Sequence, residues 1–146
     1  MKIAKYQIGK GPVLRAGALR LALGAFALGV AAAPTAAQAP ALAMLDGLTK
    51  GQWEIRFRDG SASRKICVRT GRELIQLRHA KPNCSRFVVE DSANEVTVQY
   101  TCKGDGYGRT NIRRETASLV QIQGQGIDGS LPFEFTAEAR RTGACR

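Results

Sequence analysis

Four cysteines, Cys67, Cys84, Cys102 and Cys145, and one histidine, His79, are the residues of this 146-residue chain best suited to chemistry. Successive cysteines are separated by 16, 17 and 42 residues. Thiolate metal sites need close pairs such as C-x2-C, so this spacing points away from a metal. An even cysteine count in a small exported chain reads instead as a disulfide framework. Cysteines committed to disulfides leave no thiolate for a Cys–His nucleophile pair. His79 then stands alone in a polar loop beside Lys81 and Pro82.

Other chemical motifs fail on context. Residues 124–129, GQGIDG, match G-x-G-x-x-G letter for letter. A dinucleotide site needs a strand before the motif and a helix opening within it. Here a strand-like stretch follows, so these are turn glycines. Residues 104–108, GDGYG, offer Asp105 alone, too little for calcium. No G-x-S-x-G elbow occurs. Glu90 and Asp91 are neighbours on one strand end and point apart, unlike a general acid/base pair. No nucleophile, base and metal set can be assembled. The expectation is a non-enzyme without metal or cofactor.

The amino-terminal region sets the compartment. Its first 43 residues hold five Lys and Arg and no acid, followed by the uncharged run LALGAFALGVAAA at 21–33. Pro34 and small residues come next. A basic stretch, a short apolar stretch and a small-x-small end make a secretory signal peptide. We expect residues 1–43 to be leader, cut between Ala37 and Ala43, and in the membrane only transiently during export. The run is short for a bilayer span. The formal charge of +10 falls to roughly +5 without the leader, which weakens a nucleic-acid reading. A periplasmic or secreted location is expected.

Residues 44–146 make a single domain of about 100 residues, small enough to profit from staples. Residues 51–58 alternate, with Trp53, Ile55 and Phe57 on one face, as in a half-buried strand. Asp59-Gly60 is a hairpin signal, and 61–68 return. Residues 70–77 break the alternation; Thr70 with Glu73 fits a capping box, so a helix of about two turns is expected. Residues 78–83 form a loop. The stretch 87–102 reads strand, turn, strand, and 103–108 is a turn. Further strands are expected at 109–114, 118–125 and 131–141. Seven short strands, each wet on one side, predict an all-β antiparallel up-and-down barrel or sandwich.

Sequence alone leaves three cysteine pairings open. A meander puts Cys84 and Cys102 at one end and Cys67 and Cys145 at the other, which favours those two pairs. Cys67–Cys84 with Cys102–Cys145 is the runner-up. One conflict stands: pairing Val89 with Val96 and Phe87 with Val98 places Cys84 one residue out of register with Cys102. A bulge beside Pro82-Asn83 would correct it.

The surface offers little. Arg109, Arg113, Arg114, Arg140, Arg141 and Arg146 could gather into an anion patch, but a solvated face and a charged sheet edge are the simpler account. No aromatic-interleaved basic strand suggests nucleic acid. Asn83-Cys84-Ser85 matches a glycosylation sequon.

Several motifs together resemble one family. Residues 51–54 (GQWE), Cys67, Cys84, residues 100–102 (YTC) and residues 139–145 (ARRTGAC) are similar to the domain-of-unknown-function 3617 family, small exported proteins of Proteobacteria. The family's Met- or Pro-rich insert after the first strand is reduced here to residues 59–63. The resemblance implies compartment and architecture, and no activity. The expected role is binding, to a protein or an envelope component. An alternative is inhibition of a lysozyme-like enzyme by the turn Gly104, Asp105, Gly106, Tyr107, Gly108 and Arg109. A second is a small-ligand carrier lined by Phe57, Tyr100, Phe133 and Phe135.

Overall fold

The computed structural model describes residues 41–79 and 84–146. The expected leader, its cut sites up to residue 40, and the stretch 80–83 lie outside the described residues. Among the described residues seven strands form: β1 (Gly51–Phe57), β2 (Arg64–Val68), β3 (Cys84–Asp91), β4 (Glu95–Cys102), β5 (Gly106–Thr116), β6 (Leu119–Asp128) and β7 (Leu131–Gly143). All pair antiparallel, in the order β2-β1-β7-β6-β5-β4-β3. The all-β, antiparallel, seven-strand expectation stands.

Closure does not. β2 and β3 are the two outer strands and do not pair, so the architecture is one open sheet, neither barrel nor sandwich. The inner face is covered by chain rather than by a second sheet. The short helix α1 (Ala43–Asp46) brings Met44 and Leu45, and the segment after β2 brings Leu74, Ile75 and Leu77, all buried. These side chains meet Trp53, Ile55, Val96, Val98, Ile112, Val120 and Ile122 from the strands. Period-two alternation puts those strand residues on a single face.

The expected two-turn helix is a single 3-10 turn, Arg72–Leu74. Glu73 does reach back, accepting from the backbone N–H groups of Arg69 and Thr70 at 3.1 and 3.2 Å. Gly71 precedes it at φ 78°, against the Leu45 carbonyl, and that left-handed entry breaks the helical run. The described α-helix lies instead at Ala43–Asp46. The folded unit also starts before residue 44. Leu42 is buried, its N–H donates to Asp91 Oδ2 at 3.1 Å, and Arg72 holds the Ala41 carbonyl at 2.9 Å.

Two disulfides staple the outer strands. Cys84–Cys102 joins the first residue of β3 to the last of β4, and Cys67–Cys145 joins β2 to the tail beyond β7. Cys84 and Cys102 are in register. The register conflict is resolved by a bulge at Val89, where the pairing shifts between Val88 and Glu90. The pairs are therefore Val88 with Val98 and Phe87 with Gln99, and Phe87 faces solvent, 70% exposed. The apolar register yields to the cysteines because β3 is an edge strand whose outer face need not be buried.

Candidate functional site

The two faces of β4–β7 carry different chemistry. On the inner face His79 is buried, not in a polar loop, and is held by Tyr100, Asp105 and Ile127. Its Nε2 faces the carbonyl oxygens of Ile127 (3.1 Å) and Asp105 (3.3 Å), so that nitrogen carries the proton. Nδ1 then accepts from the Tyr100 hydroxyl at 3.1 Å. Burial first, and the charge of Asp128 second, push the Tyr100 phenol up to about 12, with Arg78 opposing. The phenol thus stays protonated and donates. Both ring nitrogens of His79 are engaged, and the group works as an internal tie between β4, β6 and the segment after β2.

Phe133 and Phe135 extend this cluster. Phe133 lies 5.8 Å from His79, Phe135 6.2 Å from Phe133, and Phe57 meets Phe135 edge-on at 5.5 Å. Arg78 sits over the Phe133 ring. Three of the four aromatics proposed as cavity lining therefore pack on one another, and Tyr100 joins them through His79. They also explain the motif glycines. A Cβ at Gly124 would stand 2.4 Å from the Phe135 ring, and one at Gly108 2.4 Å from the Tyr100 hydroxyl oxygen. Gly108 and Gly124 are seats for rings. A cleft of about 440 Å³ remains at this end, between Phe57, Phe133, Arg64, Arg78 and Asp59.

The outer face carries the other candidate. Of the six proposed loop residues, only Gly104 and Asp105 are turn; Gly106, Tyr107, Gly108 and Arg109 belong to β5. The turn is tied down: Asp105 N–H donates to the Cys102 carbonyl, and Gly129 N–H to the Asp105 carbonyl. β5 starts early because Gly106, at φ 117°, lies against the Ile127 carbonyl, where a Cβ would stand 2.0 Å away. Tyr107 and Arg109 consequently point outward, into a groove of about 610 Å³ shared with Gln99, Gln125, Pro132, Phe133 and Glu134.

Strand register explains this company. Phe87 pairs with Gln99, Gln99 with Arg109, Arg109 with Gln125, and Gln125 with Glu134. Paired residues in an antiparallel sheet share a face, so one row crosses five strands. The next row runs through Thr97, Asn111, Gln123 and Thr136. Here Asn111 Nδ2 donates to Glu95 (2.7 Å) and Thr97 (2.9 Å). Among the described residues, the side chains of Gln99, Arg109, Gln123, Gln125 and Glu134 make no hydrogen bond or ion pair. The spacing of Gln121, Gln123 and Gln125 was visible in the sequence. Their convergence with Gln99, Pro132 and Glu134 required the register.

The described residues hold no cluster of three or more His, Cys, Asp or Glu able to bind a metal. None of their helices is long and apolar enough to cross a membrane. Arg113, Arg140 and Arg141, weighed with three others as an anion patch, are already engaged. Arg113 pairs with Glu115 at 2.6 Å, Arg140 with Glu138, and Arg141 holds the Lys50 carbonyl.

No curated protein and no solved structure matches this sequence. The profile of the family described as "Protein of unknown function (DUF3617)" matches residues 48–145, nearly all of the folded unit. With its stapled sheet spanning that match, the chain belongs to the DUF3617 family.

Proposed function

We propose that this is an exported, non-enzymatic binding module whose contact surface is the outer face of β4–β7. The observation that carries the reading is the groove at Tyr107, where Gln99, Arg109, Gln125 and Glu134 converge without partners in the described chain. Polar groups held on rigid strands and left unpaired suit a ligand better than a reaction. His79, the residue around which a catalytic reading would form, has both nitrogens occupied by structural bonds. An inhibitor that inserts a loop into a cleft is less well supported, since the turn is short and pinned. An internal carrier is disfavoured by the mutual packing of its aromatic lining.

The leader pattern and the two disulfides, which persist in oxidising compartments, support the exported part of this reading. Burial of Leu42 favours a cut before that residue, within 37–41, over one after Ala43. The test uses the oxidised protein recovered from its host and the separated envelope fractions: outer membrane, peptidoglycan and soluble periplasm. Retention on one fraction is expected, with loss on Tyr107→Ala combined with Arg109→Ala at an unchanged unfolding midpoint. Equal retention of that double variant, or none by the parent, would remove the reading. Mass determination of the mature chain checks the cut.

A further inference from the structure

The groove at Tyr107 does not end there. A second depression of about 150 Å³ shares Arg109, Gln125 and Glu134 with it, and a third of about 420 Å³ continues past Asn111, Gln123 and Thr136 to Arg58 and Arg113. From Tyr107 to Arg113 the trough follows β5 for about 20 Å at the usual strand rise. That is the length of a short polymer segment rather than of a single small molecule.

Its chemistry is unusual for the wet face of a sheet. Strand positions favour Val, Ile and Thr, yet four glutamines, Gln99, Gln121, Gln123 and Gln125, gather on this one surface. The charges nearly cancel. Arg109 and Glu134 flank Gln125 in one row, Arg113 is paired with Glu115, and Arg58 at the far end donates to Gln121. One cation in excess is a weak draw for a phosphate polymer or nucleic acid, which bind through several uncompensated cations. Two large rings flank Gln99 on the same face, Phe87 at 70% exposure and Tyr107 at 50%.

We propose that this outer trough binds a neutral oligosaccharide, with Tyr107 and Phe87 stacking on sugar rings and Gln99, Gln123 and Gln125 holding hydroxyls. A side-chain amide offers a donor and an acceptor in one plane. That matches neighbouring hydroxyls of a sugar, which also donate and accept. The apolar face of the ring covers the aromatic, burying surface on both. Fixed strands supply the preorganisation that a flexible polyol chain lacks. The inference rests on the binding-module reading and names its ligand class.

The experiment titrates the oxidised, isotope-labelled protein with chitotetraose, cellotetraose and an anionic control, sulfated dextran oligomers, following amide shifts by NMR. Saturable binding of a neutral tetrasaccharide is expected, with shifts mapping to β4–β7 and affinity unchanged by salt, because no ions are released. Tyr107→Ala should weaken it about tenfold, and Gln123→Ala with Gln125→Ala severalfold, while Arg140→Ala leaves it unchanged. No saturation with either neutral sugar, shifts confined elsewhere, or salt-sensitive binding of the sulfated oligomer alone would each overturn the proposal. Competition separates the two readings. If an envelope fraction still retains the protein through Tyr107 and neutral sugars do not release it, the module stands and the sugar assignment falls. If no fraction retains it, and no sugar binds, both fall.

Discussion

The inner and outer faces of β4–β7 are built from the same strands and answer to different demands. Inside, each position is fixed by what lies over it. Gly108 and Gly124 exist because rings occupy the space of their Cβ atoms, and His79 because three partners surround it. Outside, the side chains of Gln99, Gln123 and Gln125 make no hydrogen bond with the described chain, so internal bonding does not account for them. A residue type that the fold does not require is a better pointer to function than one that it does.

Substitutions sharpen this contrast most on the inner face. Gly124→Val drives a branched side chain into the Phe135 ring, itself wedged between Phe57 and Phe133. A loss of about 3 kcal/mol is expected in denaturant unfolding. If the loss is negligible, the ring is free to move and the inner face is softer than drawn.

Tyr100→Phe comes next. It removes one hydrogen bond and leaves His79 Nδ1 buried without a donor, for about 1–3 kcal/mol. The same residue gives a pH signature. The folded phenol holds its proton to about 12, whereas an unfolded one releases it near 10.0. The native state therefore binds more protons between those values, and stability falls as pH rises through that window. The Phe variant should lack this component of the fall. An identical alkaline slope in both proteins would show that Tyr100 is not its source.

The smallest effect belongs to the outer face. Gln123→Ala is expected to change stability by less than about 0.5 kcal/mol, since its exposed side chain makes no hydrogen bond within the described chain. A larger loss would give that glutamine a structural duty and erase the contrast between the faces.

Much of this was legible in advance where period-two patterning was strong. Residues 95–102 alternate without interruption, and β4 has those bounds. Sheet membership, strand number and antiparallel pairing all rest on that local signal. What stayed hidden depended on contacts distant in sequence. Thr70 and Glu73 announce a cap, but Gly71 packed on Leu45 decides that only a 3-10 turn follows. Val89 looked like a core residue, because nothing local says that β3 is an edge and that its bulge turns Val89 out. His79 looked solvated, because its neighbours in sequence are polar while its neighbours in space are Tyr100 and Phe133. The outer groove was half visible: the glutamine spacing on β6 could be read, but the strands that bring Gln99 and Glu134 beside it could not.

The two staples also differ in what they close. Cys84 and Cys102 are 18 residues apart within one hairpin, whereas Cys67 and Cys145 enclose 78. On a chain-entropy account the first bridge contributes about 3.2 kcal/mol and the second about 4.5. Each pins an outermost strand, the place where an open sheet exposes unpaired backbone to foreign strands. Sulfur chemistry thus substitutes for the closure that a barrel would have provided. Assembly acquires a last step that depends on an electron acceptor: until both bridges form, the margins of the sheet can peel, and afterwards they cannot.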